Sequence, residues 1–291
     1  MRPEAAAISG SEIWVTPKPD GFGAEIGGVD LAHGLSAAEL RVVNAVFARH
    51  SVIWIRGQPL THRQLEALSL QLGAFGQEPY AAPLAGHPHI LEVRREPQET
   101  VAIFGGGWHS DWSFLETPPA ATLLHAKIIP PVGGDTLFAD GSRAYEALDG
   151  DRQSALEGLR AFHSATGPYG SEGYFAKETG RVGMTIYSSP EADKRYSHPL
   201  VRTHPVSGRK SLFISAGYTV GIEGMDPEQS GPLLADLFEH MTQDRFVLRH
   251  SWAADTLTIW DNRCVLHHAL GGYDGHRRVL HRTTLVGERP V

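Results

Sequence analysis

The stretch TLTIWDNRCVLHHA, residues 256–269, predicts two β-strands joined by a tight turn. Its first five residues are β-branched, apolar or aromatic, which favours a strand, and the following Asp261 and Asn262 favour a turn. The second run is apolar and ends at His267 and His268. One of these imidazoles could bind a metal, whereas a strand end exposed to solvent would show the same pattern. The residues alone leave both interpretations, and both histidines, open.

Similar short runs of apolar or alternating residues occur along most of the chain from about residue 73 onward. Examples are HILEV at 89–93, ATLLHAKII at 121–129 and RVLHRTTLV at 278–286, and Gly- and Pro-rich turns separate them. Many short strands with turns between them are typical of a β-sandwich or barrel.

Helices are predicted mainly ahead of this β-rich part. Residues 36–50 and 61–72 are amphipathic, and they begin with the capping-box patterns Ser-x-x-Glu and Thr-x-x-Gln. A buried strand is predicted between them at 52–55, and one late helix at 226–242. The pattern therefore predicts a mainly β fold with flanking helices (α+β), resembling a jelly roll. No change in composition marks a linker, so we expect a single domain over 1–291.

Composition and charge exclude several classes of function. The chain of 291 residues has 41% hydrophobic residues and a formal charge of −7, so nothing favours a nucleic-acid or membrane partner. Its single cysteine, Cys264, excludes an intrachain disulfide and a thiolate metal cluster, and favours a reducing cytoplasm. No apolar run is long enough to span a membrane, and the first 15 residues do not resemble a secretory signal.

The segment GGGWHSDWSF, residues 105–114, contains a second candidate for metal binding. On an extended chain His109 and Asp111 would point to the same face, because side chains two residues apart share a side of a strand. Two histidines and one carboxylate form the facial triad of Fe(II) oxygenases, which leaves coordination positions open. A surface histidine beside an aspartate would look the same in sequence.

Two arginines near the C-terminal end of the chain suggest a site for anions. On a strand, Arg278, Leu280 and Arg282 share one face, so two guanidinium groups would point into an otherwise apolar interior. A buried arginine needs an anionic partner, and its planar group suits a carboxylate or sulfonate. A basic edge strand that resists aggregation is the alternative interpretation.

Five long segments, in the order in which they occur, resemble the taurine/2,4-D dioxygenase (TauD/TfdA) family of Fe(II)/2-oxoglutarate enzymes over nearly the whole chain. They are GAEIGGVDL at 23–31, WHSDWSFLETPPA at 108–120, GGDT at 133–136, HPLVRTHPVSGRKSLF at 198–213 and WDNRCVLHHA at 260–269. The resemblance implies a double-stranded β-helix, a form of jelly roll. It also implies hydroxylation of a small anionic substrate with O2 and 2-oxoglutarate, releasing succinate and CO2.

The resemblance assigns roles to individual residues. His109 and Asp111 match the first two ligands of the iron, Fe(II), and His267 matches the third in preference to His268. Thr136 and Arg278 match the pair that binds the distal carboxylate of 2-oxoglutarate.

The primary substrate is less well defined by the resemblance. Arg282 matches the arginine that meets the anionic group of the substrate in the sulfonate-oxidising members. Taurine-specific members carry a His-Pro-x-Tyr segment, whereas this chain has Glu78 where a histidine is expected, followed by Pro79 and Tyr80. Taurine is therefore disfavoured. Trp112, Tyr80 and Tyr218 are candidates for an aromatic pocket that would suit aryloxyalkanoates, sulfonates or alkyl sulfates, although packing in the core is the alternative.

Two other classes of function use parts of the same pattern. A zinc hydrolase could use two histidines and one aspartate with a bound water, but it has no need for Thr136 and Arg278. A non-catalytic jelly-roll binding module would need neither. Members of the family form dimers or tetramers, so the resemblance implies a homo-oligomer.

Overall fold

Fifteen strands and seven α-helices form from residues 13–291, the part of the chain that the computed structural model describes. The strands are β1 (Trp14–Pro17), β2 (Ala24–Gly27), β3 (Val52–Ile55), β4 (Leu91–Arg95), β5 (Ala121–Ile128), β6 (Thr136–Asp140), β7 (Arg160–Ser164), β8 (Arg195–Pro199), β9 (Val201–Thr203), β10 (Lys210–Leu212), β11 (Thr219–Ile222), β12 (Val247–His250), β13 (Leu257–Asp261), β14 (Val265–Ala269) and β15 (Arg278–Leu285). The helices are α1 (Ala37–His50), α2 (His62–Leu72), α3 (Gly141–Glu146), α4 (Gly150–Leu156), α5 (Thr166–Tyr169), α6 (Tyr174–Lys177) and α7 (Pro227–Met241).

A seven-stranded sheet is the largest element of the fold. Its strand order is β1-β2-β3-β13-β5-β15-β4, and each neighbouring pair is antiparallel except β2 and β3. A smaller sheet of order β12-β6-β14 faces it. Phe138 and Val265 of the smaller sheet pack with Trp260 and Leu280 of the larger sheet in one buried cluster. Two facing sheets around a shared core confirm the predicted jelly roll, or double-stranded β-helix.

Helices cover the outer faces of both sheets. On the larger sheet, Leu65 and Leu68 of α2 and Val43 of α1 pack against Ile53 and Ile259. On the smaller sheet, α3 and α7 provide the corresponding cover. Both N-terminal helices begin with the capping boxes that the sequence predicts, and the late helix also has one. The predicted mainly β fold with flanking helices is therefore confirmed.

Strand β15 places its two arginines as predicted. Leu280 belongs to the cluster between the sheets, and Arg278 and Arg282, two residues away on either side, share its face. His281 points to the other face, where its ring lies 4.7 Å from that of His62 on α2. The interior of the jelly roll therefore receives two guanidinium groups from one strand.

The two strands of residues 256–269 lie in different sheets, β13 in the large one and β14 in the small one. The segment around His109 is not a regular strand. His109 forms an isolated bridge with His267, and the chain turns at Asp111 and Trp112, where Trp112 has a φ of 46° in the left-handed region.

The prediction that the chain has no secretory signal concerns mainly residues 1–12. These residues lie outside the part of the chain that the structure describes. Among the helices of residues 13–291, none has both the length and the apolar character needed to cross a bilayer.

Candidate active site

Two histidines from distant parts of the sequence meet through their backbones. The N–H of His109 donates to the carbonyl of His267 at 3.0 Å, and the N–H of His267 donates to the carbonyl of His109 at 2.8 Å. Strand β14 carries His267 and is itself paired with β6 of the small sheet. Their rings therefore lie side by side inside the jelly roll, with centroids 4.1 Å apart.

Asp111 completes a group of three potential metal ligands. Its Oδ1 lies 3.8 Å from Nε2 of His109 and 3.8 Å from Nε2 of His267, and the ligand atoms all lie within 4.8 Å of one another. The Nδ1 of His109 hydrogen-bonds the carbonyl of Gly107 at 2.7 Å. Because a neutral imidazole carries one proton, this bond leaves the lone pair on Nε2, facing Asp111.

The electrostatics of the three groups suit a divalent cation. Burial, together with the neighbouring imidazole, lowers the pKa of His267 well below its ordinary value, and burial also lowers the pKa of His109. Burial alone would raise the pKa of Asp111, but Arg282 and the two histidines outweigh it and hold this pKa at about 2. Near neutral pH the site therefore contains two neutral imidazoles and one carboxylate, the donor set of a facial triad.

Thr122 and Asn262, which the sequence analysis did not select, orient this carboxylate. The Thr122 hydroxyl donates to Oδ2 of Asp111 at 2.7 Å, and Asn262 Nδ2 donates to the same hydroxyl at 2.8 Å. Asn262 Oδ1 accepts the indole N–H of Trp260 at 3.0 Å. The Thr122 oxygen accepts the hydrogen bond from the Asn262 amide, so the hydroxyl's own proton is the one that points to Asp111. Oδ1 of Asp111 is thereby left facing the histidines.

We expect Asn262→Asp to weaken metal binding by about tenfold, the lower end of the effect of losing a partner of a metal ligand. The new carboxylate cannot donate to Thr122, so that hydroxyl would turn toward residue 262 and leave Oδ2 of Asp111 without a donor. Calorimetric titration with Mn(II) measures the change. Asn44→Asp, the same substitution on the exposed side of α1, is the control. Equal affinities in the two variants would contradict the role assigned to Asn262.

Arg278 and Thr136 lie together beside the two histidines. All four line one small cavity. Arg278 is 5% exposed; its NH2 donates to the carbonyl of Gly134 at 3.1 Å, and its Nε has no hydrogen-bond partner among residues 13–291. The Thr136 hydroxyl accepts the indole N–H of Trp252 at 3.0 Å, which leaves its own proton free to donate. A buried guanidinium with a free donor beside a hydroxyl is suited to bind a carboxylate.

Arg282 also lines this small cavity but, unlike Arg278, is already paired with carboxylates. Its NH1 donates to Oδ1 of Asp111 at 3.0 Å, and its Nε and NH2 donate to the two carboxylate oxygens of Glu78 at 3.2 and 2.5 Å. The indole N–H of Trp112 donates to the same Glu78 carboxylate at 2.9 Å. Glu78 therefore pairs with the protein's own arginine, an arrangement that the sequence did not reveal.

A larger cavity of about 470 Å³ opens beside the triad. Of the residues that the sequence suggested for substrate binding, Arg282, Trp112 and Tyr218 line it, together with His109 and Asp111. The other aromatic residues of its wall are Phe104, Trp108, Tyr169, Tyr174 and Phe175. This wall forms mainly from loops and short helices outside the sheets, which the strand pattern did not bring together.

Glu78 and Tyr80 are not among the residues that line this cavity. The Tyr80 ring stacks on Tyr169, with centroids 4.7 Å apart and an angle of 11° between the planes. Tyr80 is buried behind the wall, so it supports the aromatic lining and does not itself face the cavity.

Residues 14–284 match the family described as "Taurine catabolism dioxygenase TauD, TfdA family". The chain belongs to this family. It is a 2-oxoglutarate-dependent dioxygenase, as the sequence analysis predicted, and neither a zinc hydrolase nor a non-catalytic binding module.

Relatives of known activity and a solved structure agree with this membership. The chain is 37% identical over 287 residues to an alpha-ketoglutarate-dependent 2,4-dichlorophenoxyacetate dioxygenase of Cupriavidus pinatubonensis, covering 93% of this chain and 96% of the relative. It is 31% identical to an alpha-ketoglutarate-dependent sulfate ester dioxygenase of Pseudomonas putida, covering 99% and 94%. The solved structure of AAD-2 in complex with Mn(II) and N-oxalylglycine has a TM-score of 0.78 and 31% identity, covering 96% of this chain and 98% of that chain.

The dioxygenase contains another compact group of potential ligands, His204, Asp261 and Cys264. Arg263 donates to both oxygens of Asp261, and His204 Nε2 hydrogen-bonds this carboxylate at 2.9 Å. The backbone N–H groups of Val206 and Ser207 donate to Nδ1 of His204, so its Nε2 carries the proton. With no free lone pair on this imidazole, the group is a hydrogen-bonded ion pair and not a second metal site.

Proposed function

We propose that His109, Asp111 and His267 hold Fe(II) and that O2 is the oxidant. The observation that carries this proposal is the convergence of two neutral imidazoles and an ionised carboxylate beside two cavities. When bound, the metal would supply oxidative chemistry that couples decarboxylation of 2-oxoglutarate to hydroxylation of a C–H bond. Because the protein would supply only three ligands, positions on the metal would remain for the co-substrate and O2.

Arg278 and Thr136 would bind the distal carboxylate of 2-oxoglutarate. The free Nε–H of Arg278 and the free hydroxyl proton of Thr136 are two donors beside the same small cavity. Burial strengthens a charge-assisted hydrogen bond. Burial also lowers the pKa of Arg278, because it destabilises the charged guanidinium, and a bound anion would offset this effect. The protein's contribution is to orient the co-substrate between this pair and the triad.

The primary substrate is a small organic acid with an aromatic or extended apolar body. Aromatic rings dominate the wall of the larger cavity, and Arg282 is the arginine that faces it. Relatives that act on 2,4-dichlorophenoxyacetate and on sulfate esters favour aryloxyalkanoates, with alkyl sulfates and sulfonates as the alternatives. Taurine has no such body and is disfavoured.

An anaerobic titration tests this proposal. Fe(II) and 2-oxoglutarate together should produce a weak visible absorption band, which His267→Ala should abolish. In air, a panel of aryloxy acids, alkyl sulfates and sulfonates is then assayed by release of succinate. If neither the band nor succinate appears with the wild-type protein, the proposed chemistry is wrong.

The setting of the enzyme is inferred from its composition and its family. We propose that residues 1–291 act as one domain in the cytoplasm, since the single cysteine is a free thiol in the core. Family membership supports a homodimer or homotetramer, and the net charge of −7 gives no reason to expect a nucleic-acid or membrane partner.

A further inference from the structure

We propose that Glu78 is a specificity-determining residue that acts through Arg282 and makes the enzyme nearly indifferent to the charge of its substrate's head group. This inference rests on the proposed function, because it concerns the primary substrate of the same site. Glu78 lies outside the lining of the cavity, so it acts on the substrate through the two cavity residues that it holds, Arg282 by its charge and Trp112 by a hydrogen bond.

The hydrogen bonds of Arg282 leave it few donors for a ligand. A guanidinium has five N–H groups. In Arg282, one N–H group donates to Asp111 and two donate to Glu78, which leaves two N–H groups for a ligand. The Trp112 indole N–H also donates to Glu78 and keeps that carboxylate in place. The orientation of Arg282 is therefore set by the protein and not by the substrate.

Charge neutralisation is the more important consequence. Among the described residues that line the larger cavity, Arg282 is the one arginine and there is no lysine. It contacts two carboxylates, those of Asp111 and Glu78, and Glu78 accepts N–H groups at both oxygens although burial raises its pKa. Arg282 is only 4% exposed, and the rings of Trp112 and Phe104 lie over its guanidinium with centroids 5.1 and 5.8 Å from its carbon. Water therefore does little to screen these charges from one another.

An anionic head group at Arg282 would gain attraction from one positive charge and meet repulsion from Glu78, which the same guanidinium contacts. The net Coulomb preference for an acid over its uncharged counterpart should therefore be small. Binding energy then comes mainly from the aromatic wall, which acts on the body of the substrate. The substrate class that fits is an aromatic compound carrying either an acid or an uncharged polar group, such as a primary amide, at this end.

The test compares the acid that gives most succinate in the panel with its own primary amide. In the wild-type enzyme, kcat/KM for the two should agree within about threefold, because attraction to Arg282 and repulsion from Glu78 largely cancel. In Glu78→Gln the hydrogen-bond acceptor for Trp112 remains but the charge is lost. The acid should then be favoured by about tenfold or more, as for a desolvated charge that gains a free partner.

Glu178→Gln is the matched control. Glu178 accepts two hydrogen bonds from Arg181, at 2.6 and 2.9 Å, in a pair that is also largely buried but whose arginine does not line the cavity. This variant should keep the wild-type ratio between acid and amide.

Each outcome decides the inference. A wild-type enzyme that prefers the acid by more than about tenfold would show that the anion displaces Glu78 from Arg282, and the inference would be wrong even if the Glu78 variant fails to fold. A Glu78→Gln enzyme with an unchanged ratio would also overturn it. If no acid or amide supports succinate release although the 2-oxoglutarate complex forms, recognition of an aromatic body is wrong, while the proposed metal and co-substrate sites stand.

Discussion

Replacing His267 with alanine should reduce succinate formation and metal affinity by about 100-fold or more. The loss should exceed that caused by removing a residue that only hydrogen-bonds a metal ligand, which is about 10- to 100-fold. The imidazole is buried, neutral and 3.8 Å from the carboxylate of Asp111, so its removal leaves two donors where three converge. Calorimetric titration with Mn(II) and the succinate assay measure the two effects independently.

His268→Ala is the natural control for this change. The ring of His268 lies on the opposite side of β14, 5.5 Å from that of Trp108, and it is not part of the triad. Its loss should change both measurements by no more than about threefold, the effect of about 0.5 kcal/mol. If the His268 variant lost activity and the His267 variant kept it, the assignment of the third ligand would be reversed.

Replacing Arg278 with alanine should raise the KM for 2-oxoglutarate by about 100-fold, because truncation of a buried charged partner costs about 2–5 kcal/mol. The affinity for Mn(II) in the absence of co-substrate should change little, since Arg278 contacts none of the three ligands through a hydrogen bond or ion pair that the structure describes. Succinate release at varied 2-oxoglutarate concentration gives the KM.

Two further variants show whether the effect belongs to this guanidinium. Arg277→Ala removes the neighbouring arginine, which is 46% exposed and pairs with Glu96, and it should leave the KM unchanged. Arg282→Ala should affect the primary substrate more than 2-oxoglutarate. The reverse ranking of Arg278 and Arg282 would mean that the roles of the two arginines are exchanged.

The features that the sequence predicted well depend on local interactions. The capping boxes of α1 and α2 involve residues three positions apart, so their patterns are complete within one turn of helix. The alternation of β15 likewise predicted which face receives Arg278 and Arg282, because side-chain direction along a strand follows directly from position.

Features that depend on distant pairings could not be derived in this way. His267 and His268 were equivalent until their resemblance to a family separated them, and the structure distinguishes them by the bridge to His109. The pairing of Arg282 with Glu78 joins residues 204 positions apart, and no spacing rule predicts it. From the sequence, Asn262 was predicted only to form a turn. Its amide donates to Thr122, which is a neighbour only in the folded chain, so this second role could not be predicted.

The backbone bridge between His109 and His267 couples the site to the stability of the whole protein. It joins segments separated by most of the β-rich part of the chain, so the ligand geometry exists only while the chain is folded. By thermodynamic linkage, a ligand that binds the folded chain alone stabilises it in proportion to the logarithm of its concentration. Substitutions deep in the sheets, far from any ligand, would therefore weaken apparent metal affinity once they bring the chain near its unfolding midpoint.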